Sequence, residues 1–333
     1  MPRNICITAA DGQTGFLIVE LLLRKGRFSR QIDSVTGLVM YPSSPKCQEL
    51  TSLGAKVVHH VPGRGRTVVK LLEEANCDTI CLIPPAHKDK LDISLELVAA
   101  AKKAGVQDVL LISSAGCDFA DPQRQPRLRE FINIETAVFA GQADPKNAFP
   151  HSPCVIRAGF YAENLLLYSE QSKAEGVLSL PIGETHKFAP VARGDIARVA
   201  AQILAGKGNQ GFDEKNRGQL MAITGSVLFA GKELAEIASQ ELGTKLEFDN
   251  ISEWEAKRVY VARSSSEDNK KQYLLEYYSL VREGKTNYIA TTAFHDVAGT
   301  NPTQPADFFK VTGVSSRPAK KLKTGNGAVV VSL

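Results

Sequence analysis

The chain has 333 residues, 43% hydrophobic and 23% charged, which is the balance of an ordinary globular protein. Its formal net charge of +4 comes from 40 basic and 36 acidic residues mixed along the sequence, which argues against a nucleic-acid partner. No apolar run approaches the roughly 20 residues that span a bilayer, and the first residues lack the pattern of a signal peptide, so we expect a cytoplasmic protein with no membrane partner.

The first part of the chain alternates short apolar strands with helical segments. Strands are predicted at 5–8, 35–40, 56–58, 79–83 and 108–113, with helices at 14–24, 45–53, 67–74 and 91–103. Strands that are apolar throughout and separated by helices indicate a parallel sheet covered on both faces. The predicted fold class is therefore α/β, with a Rossmann-type doubly wound parallel sheet.

The second part of the chain is more helical. Its predicted elements are a sixth strand at 154–157 and helices at 128–140, 165–172, 195–205, 231–242 and 269–282. Asp195 is a candidate N-cap of its helix, and Gly243 is a candidate stop signal.

Two domains and a tail are expected from these elements. Residues 1–157 are predicted to bind NAD(P), with a return segment near 188–224. Residues 158–313 mainly form a smaller C-terminal α/β substrate domain. The tail at 314–333 is rich in Lys and Gly, so we expect it to be flexible or a packed extension.

The cysteines predict neither a metal site nor a disulfide framework. The six residues form no paired Cys-x-x-Cys sets, and no histidine lies at zinc-ligand spacing. Cys6 and Cys81 lie within apolar strands, where a thiol behaves as a small hydrophobic group. We expect all six to be reduced core residues.

The turn after the first strand has the features of a phosphate-binding loop. Residues 8–15 read TAADGQTG and lead into a helix, whose N-terminus offers amides and a positive dipole to a pyrophosphate. Gly12 would allow close backbone approach, and Gly15 tight helix–strand packing. Ala9 replaces the first glycine of the motif, which a negative φ would tolerate. The predicted pyrophosphate contacts are Ala10, Asp11, Gly12, Gln13, Thr14 and Gly15; the alternative is a nucleotide fold without its ligand.

The segment after the second strand favours NADP(H), with NAD(H) as the alternative cofactor. Residues 39–46 contain no acidic side chain that would bind a free ribose 2′-hydroxyl. A 2′-phosphate would instead meet hydroxyl and cationic groups. The predicted contacts are Tyr41, Ser43, Ser44 and Lys46, with Arg64 or Arg66 as helpers.

Several motifs resemble those of the NmrA-like family of atypical short-chain dehydrogenases/reductases. They are the turn at 8–15, Pro84-Pro85, SSAG at 113–116, GFYAENL at 159–165, FAPVARGDIA at 188–197 and MAITG at 221–225. The resemblance runs from about residue 4 to about residue 310. The GFYAEN element is similar to the quinone oxidoreductase and triphenylmethane reductase branch, while Ala9 and the tail are similar to fungal averufin oxidase-type members.

This resemblance implies an NAD(P)H-binding Rossmann domain and a C-terminal domain that together form a cleft over the nicotinamide. The residues it places beside the ribose and the nicotinamide are Ile83, Pro84, Pro85, Ser113, Ser114, Phe160 and Tyr161. The chain also departs from the family. No Tyr is followed four residues later by Lys, Phe131 replaces a lysine that many members carry, and Met40 replaces an arginine often found after the second strand.

Few side chains are candidates for donating a proton during hydride transfer, a reaction that mainly needs correct positioning and exclusion of water. Tyr161 lies in the implied pocket wall, His186 in a loop, and His87 just after Pro84-Pro85 at a carboxyl strand end. Cys117 has no evident activating base, which argues against a nucleophilic role.

The side chains of Trp254, Tyr273, Tyr277 and Tyr278 are predicted to lie in the core or line the cleft, and Asn164 to orient a loop. The predicted function is an NADPH-preferring oxidoreductase, monomeric or homodimeric, acting on a carbonyl, quinone or aromatic metabolite. One alternative is a redox sensor that binds NAD(P) and a protein partner. The other is a cofactor-independent cyclase or isomerase, which Ala9 and Met40 would fit.

Overall fold

In the computed structural model, residues 3–24, 26–140, 149–168, 175–208, 211–263 and 268–315 are described. The first part of the chain has the predicted alternation, with element ends shifted by a few residues. Its elements are β1 (Arg3–Ile7), α1 (Gln13–Leu23), β2 (Ile32–Val39), α2 (Pro45–Ser52), β3 (Lys56–His59), α3 (Gly65–Glu74), β4 (Thr79–Leu82), α4 (Lys90–Lys103), β5 (Asp108–Ser114) and α5 (Pro126–Phe139).

The remaining elements are β6 (Cys154–Ala158), a 3-10 helix (Ala162–Tyr168), β7 (Val177–Ser179), α6 (Arg193–Leu204), β8 (Leu220–Ile223), α7 (Gly231–Leu242), β9 (Glu247–Asp249), α8 (Glu253–Arg263), α9 (Asp268–Arg282), α10 (Ala293–Ala298) and α11 (Pro305–Ser315). The 3-10 helix begins before the helix predicted at 165–172, whose last four residues lie outside the described residues, as does the tail from 316. None of the described helices has the length and apolarity needed to cross a membrane.

Seven parallel strands form the main sheet in the order β3-β2-β1-β4-β5-β6-β8. The chain passes from β1 outward to β2 and β3, and then returns to the other side of β1 at β4. In such a sheet the carboxyl ends of the strands on either side of this reversal enclose a crevice. The edge strand β8 is absent from the sequence prediction. Strands β7 and β9 pair separately, also in parallel.

Apolar residues cover both faces of the main sheet, as predicted. Ile5 and Ile7 of β1 pack on one face with α1 and α6, while Cys6 between them packs on the other with α3, α4 and α5. A third cluster, drawn from residues 117–309, contains Phe160 and Phe188 and lies apart from these two. All six cysteines are buried free thiols.

Two helix ends test the capping predictions. Gly243 ends α7 in a left-handed conformation, φ 67°, which confirms the predicted stop. The N-cap prediction for Asp195 is wrong, since Ala192 holds that position and Asp195 lies inside the first turn of α6. Its carboxylate instead accepts the N–H of Thr303 at 2.7 Å, which connects α6 to the segment before α11.

Candidate functional site

A cavity of about 410 Å³ opens at the carboxyl ends of the central strands. The loops that follow β1, β4 and β6 and the end of β5 line it, together with residues of the 3-10 helix and of α1, α2, α4, α5, α6 and α9. The Thr8 hydroxyl, at the end of β1, accepts the N–H of Ile83 at 2.7 Å and so positions the loop after β4. The predicted residues that line the cavity are Asp11, Gly12, Gln13, Thr14, Gly15, Lys46, Ile83, Pro84, Pro85, His87, Ser113 and Tyr161.

The turn before α1 opens into this cavity. Gly12 is the N-cap of α1, without a side-chain cap and without an acidic residue in the first turn. The positive end of the helix dipole therefore faces the cavity. A Cβ at Gly12 would lie 2.9 Å from the Ala9 carbonyl oxygen, and one at Gly15 would lie 2.4 Å from it. Both positions therefore need glycine, Gly15 for the close packing that the sequence predicts.

Ala9 has a backbone conformation that is unusual for alanine. The φ of Ala9 is +46°, in the left-handed region, so the negative φ that would tolerate alanine without strain is not present. Glycine adopts this conformation freely, whereas alanine carries a steric cost of roughly 1 kcal/mol. The carbonyl of Ala9 accepts the N–H of Gly12 at 2.9 Å, and this tight turn holds residue 9 in place.

Residues 39–46 contain no acidic side chain, but one from the turn after β1 lies beside the end of β2. The carboxylate of Asp11 accepts the N–H of Tyr41 at 3.3 Å. Lys46 of α2 also lines the cavity, with its ammonium 6.0 Å from the centroid of the Phe16 ring. The Tyr41 side chain is 55% exposed, and Tyr41, Ser43, Ser44, Arg64 and Arg66 all lie outside the cavity lining.

A buried polar network lies behind the cavity floor. The Ser113 hydroxyl donates to Glu135 Oε1 at 2.5 Å, and Arg157 donates to both oxygens of the same carboxylate at 2.9 and 2.8 Å. This bidentate pair fixes the Ser113 side chain at the end of β5. Cys117 lies against the network, and burial raises the pKa of its thiol to about 12, so the thiol stays protonated and unreactive.

Two tyrosines line the cavity from different parts of the chain. The Tyr161 hydroxyl is 3.4 Å from the Thr14 hydroxyl, and the Arg193 guanidinium lies over the Tyr161 ring at 5.2 Å. Tyr273 of α9 is 2.8 Å from the Ser114 hydroxyl, oxygen to oxygen, so Ser114 supports the wall from behind. Burial raises the pKa of both phenols, which therefore keep their protons at neutral pH.

Besides Tyr41, Ser43 and Ser114, three further predicted site residues lie outside the cavity lining. Ala10 is fully buried in the core beside Gly37. The Phe160 ring is buried, and its centroid lies 5.0 Å from that of Phe188. His186 lies against Gly183 and Gly284 in its loop. Apolar packing takes the side chains of Ala10 and Phe160 inward and the loop takes His186 elsewhere, so the structure does not bring these three side chains to the cavity.

Helices bring further residues to the cavity that the sequence did not single out as site residues. Lys90 begins α4 and Arg127 lies in the first turn of α5. His87 precedes Lys90, and its Nδ1 accepts the N–H of Asp89 at 3.2 Å. The Pro84-Pro85 signal marks the strand end that precedes α4, and it is the only sequence cue that points to Lys90. The full set is Lys90, Arg127, Phe131, Asn164, Arg193, Tyr273 and Leu274.

Of the remaining aromatic residues, three lie where the sequence predicts and one does not. Tyr273 lines the cavity, and Tyr277 and Tyr278 are buried in the core, as predicted. Trp254 is 65% exposed, so the prediction that it lies in the core or the cleft is wrong. Its ring stacks instead with Arg258 one helical turn later, at 4.8 Å.

Comparison with known proteins gives similarities over most of the chain. Residues 1–304 match the sequence model of the NmrA-like family. The NAD(P)H azoreductase of Xenophilus azovorans is 24% identical over 257 residues, which is 77% of this chain and 79% of that protein.

Among solved structures, an NADPH-dependent quinone oxidoreductase from Escherichia coli, complexed with NADPH, has a TM-score of 0.75 at 20% identity, covering 92% of this chain and 99% of that one. The triphenylmethane reductase of Citrobacter sp., complexed with NADP(H), also has a TM-score of 0.75, at 19% identity over 93% of this chain and 99% of that one. At these identities the structural matches establish the fold.

Proposed function

The chain belongs to the NmrA-like family, and on that premise we propose that it is an NADPH-preferring reductase of a quinone, carbonyl or related aromatic compound. The observation that carries this proposal is the uncapped N-terminus of α1, which opens into the cavity. Three similar proteins support it. The azoreductase is described as NAD(P)H-using, the quinone oxidoreductase was solved with NADPH, and the triphenylmethane reductase was solved with NADP(H).

The turn fits a dinucleotide. Because Gly12 and Gly15 lack a Cβ, the backbone of the turn packs closely and leaves the first amides of α1 directed at the cavity. Those amides would hold the pyrophosphate, and Lys46 would hold a ribose 2′-phosphate. NAD(H) is the alternative, since Asp11 lies near the same ribose position.

When bound, the dinucleotide would supply the hydride. The chain would position the substrate, exclude water from the cavity and donate a proton. Phe131, Leu274 and the Pro85 region give the cavity an apolar wall that excludes water. The Ser113 hydroxyl, fixed by Glu135, gives the floor one oriented polar group. Tyr161 is our proposed proton donor to the substrate oxygen, since its phenol lines the cavity and burial raises its pKa. His87 is the second candidate.

The test is a binding titration with NADPH and NADH, followed by measurement of NADPH oxidation with 1,4-naphthoquinone. We expect NADPH to bind the wild-type chain and to be consumed with the quinone. Gly15→Ala should weaken NADPH binding by about tenfold or more, because its Cβ would clash with the Ala9 carbonyl.

Gly194→Ala is the matched control, since a Cβ at Gly194 of α6 meets nothing within 4 Å. It should leave binding unchanged. Failure of the wild-type chain to bind either cofactor would refute the proposal.

A further inference from the structure

One wall of the cavity carries cationic side chains for which hydride transfer to a simple quinone has no use. Lys90 of α4 and Arg127 of α5 both line this wall. We propose that they form a subsite for an anionic group, a carboxylate or sulfonate, on an aromatic substrate. The inference deepens the proposed function by naming the class of substrate, and the binding it describes can be measured separately from turnover.

Lys90 is held at the cavity in a manner unusual for a lysine. Its residue is only 6% exposed, yet it belongs to the cavity lining. The ammonium donates to the Arg127 carbonyl and lies 4.0 Å from the centroid of the Phe131 ring. Burial lowers the pKa of Lys90, and desolvating a cation in this way is unfavourable unless it has partners. The Arg127 carbonyl and the carboxylate of Glu130 are the partners that keep this cation at the cavity wall.

The charges at the cavity are unequal in sign. Among the described residues that line it, Lys46, Lys90, Arg127 and Arg193 are cationic and Asp11 alone is acidic. Arg193 stacks on Tyr161, beside the first turn of α1, and Lys46 comes from α2. Those two therefore suit the phosphates of the proposed cofactor. Lys90 and Arg127, on other helices, are the cations that a cofactor would leave for the substrate.

Two glutamates partly balance this wall from behind. Glu130 Oε2 lies 3.1 Å from the Lys90 ammonium, and Glu130 Oε1 lies 3.1 Å from the Arg127 guanidinium. Glu276 also acts on Lys90 electrostatically, but its carboxyl accepts the Leu128 N–H at 2.8 Å, and burial raises its pKa. Neither glutamate lines the cavity.

One carboxylate thus contacts two cations directly. An anionic substituent in the cavity would lie near both cations, in a site where solvent screens charges less than on an open surface. It would add a second directly contacting negative group to the one that Glu130 provides.

The same wall provides a surface for an aromatic ring. Phe131 lies under the Lys90 ammonium, and its centroid is 6.0 Å from that of Tyr273 in an edge-to-face arrangement. A planar substrate on these rings would carry its anionic substituent toward Lys90. The chemistry therefore selects aromatic acids over neutral aromatic compounds.

The test compares two unreactive probes, naphthalene-2-sulfonate and neutral 2-methylnaphthalene, by calorimetry on the full chain. We expect the wild-type chain to bind the sulfonate about tenfold more tightly or better, with an affinity that falls as KCl is added. Lys90→Met should remove this preference and leave 2-methylnaphthalene binding within about twofold. Lys103→Met, an exposed lysine of the same helix, should change neither affinity.

A parallel assay with NADPH separates this inference from the proposed function. The KM for 1,4-naphthoquinone-2-sulfonate should rise in Lys90→Met, while the KM for 1,4-naphthoquinone stays constant. Equal affinity of the wild-type chain for the two unreactive probes would overturn the subsite, even if both quinones are reduced. Sulfonate preference without NADPH oxidation would support the subsite and contradict only the reductase.

Discussion

Two side chains of opposite charge, Asp11 and Lys46, line the cavity where we propose that the adenosine ribose binds. The Asp11 carboxylate is held by the Tyr41 N–H, and Lys46 approaches from α2. A carboxylate favours a free ribose 2′-hydroxyl, whereas a cation favours a 2′-phosphate. We therefore expect Lys46 to favour NADPH over NADH, because only NADPH carries the 2′-phosphate.

Lys46→Ala should raise the KM for NADPH by about tenfold, because it removes a charge-assisted contact with the 2′-phosphate. The KM for NADH should stay within about twofold, since NADH lacks that phosphate. Steady-state kinetics with both cofactors and one quinone measures the ratio. Lys70→Ala, which changes an exposed lysine of α3, is the control. An equal rise in KM for both cofactors would show that Lys46 does not contact the 2′-phosphate.

The structure brings the predicted site residues to the cavity where they follow one another along the chain. The turn at 11–15 and the segment 83–85 line the cavity as expected, because a strand end and its next few residues necessarily meet the crevice. Lys90 and Tyr273 come from helices. Periodicity tells which helix face is buried, but not whether that face meets the core or a cavity. The conformation of Ala9 follows from packing against two glycines, which local sequence does not determine.

At the scale of elements, the cavity wall depends on how α9 holds the start of α5. Gln125 precedes α5 without capping it. Glu276 of α9 takes over that role and accepts the N–H of Leu128 at 2.8 Å. The Gln125 side chain donates to the Ser279 hydroxyl of α9 at 3.1 Å. Two helices far apart in sequence are thereby joined through the first turn of one of them, next to Arg127.

Glu276→Ala should lower the free energy of unfolding by about 1–3 kcal/mol, because it leaves a buried backbone N–H without its acceptor. Glu276→Gln keeps an acceptor oxygen and should cost less. Urea denaturation at neutral pH measures both. Glu236→Ala, at an exposed position of α7, is the control and should stay within about 0.5 kcal/mol of wild type. If Glu276→Ala lowers the free energy of unfolding no more than Glu236→Ala does, Glu276 does not cap α5.

Most elements were predictable because apolar strands and amphipathic helices alternate so regularly in the first part of the chain. Asp195 shows the limit of this reasoning. Its type and position suit an N-cap, but its carboxylate contacts Thr303, more than a hundred residues away. Tertiary contacts of this kind are not encoded in a local pattern. The strand β8 is similar, since it is defined by pairing with β6.

At the scale of the whole molecule, three tyrosines lie between the sheet and the helices of the second part of the chain, Tyr277 buried and Tyr161 and Tyr273 partly buried. Tyr161 follows β6, while Tyr273 and Tyr277 belong to α9. Burial raises the pKa of all three phenols. The native state therefore keeps three protons that the unfolded chain releases near its ordinary tyrosine pKa of about 10.

This difference gives stability a definite pH dependence. A folded pKa above the unfolded value contributes stability that is complete below about pH 10 and is lost as pH rises toward the folded pKa. Each such tyrosine should steepen the fall by about 1 kcal/mol per pH unit between about pH 10 and pH 11, where the unfolded state binds fewer protons than the native one.

Tyr277→Phe should therefore reduce the fall of the free energy of unfolding with pH above about pH 10 by the contribution of one tyrosine. This holds even if losing the hydroxyl lowers stability at neutral pH. Tyr288 is 92% exposed, so Tyr288→Phe serves as the control and should leave the slope as in wild type. Urea denaturation at a series of pH values supplies the slopes. Because lysines also titrate in this range, the difference between the two variants isolates the buried phenol. An identical slope in both would mean that Tyr277 ionises in the native state, which is incompatible with its burial between Phe160 and the core.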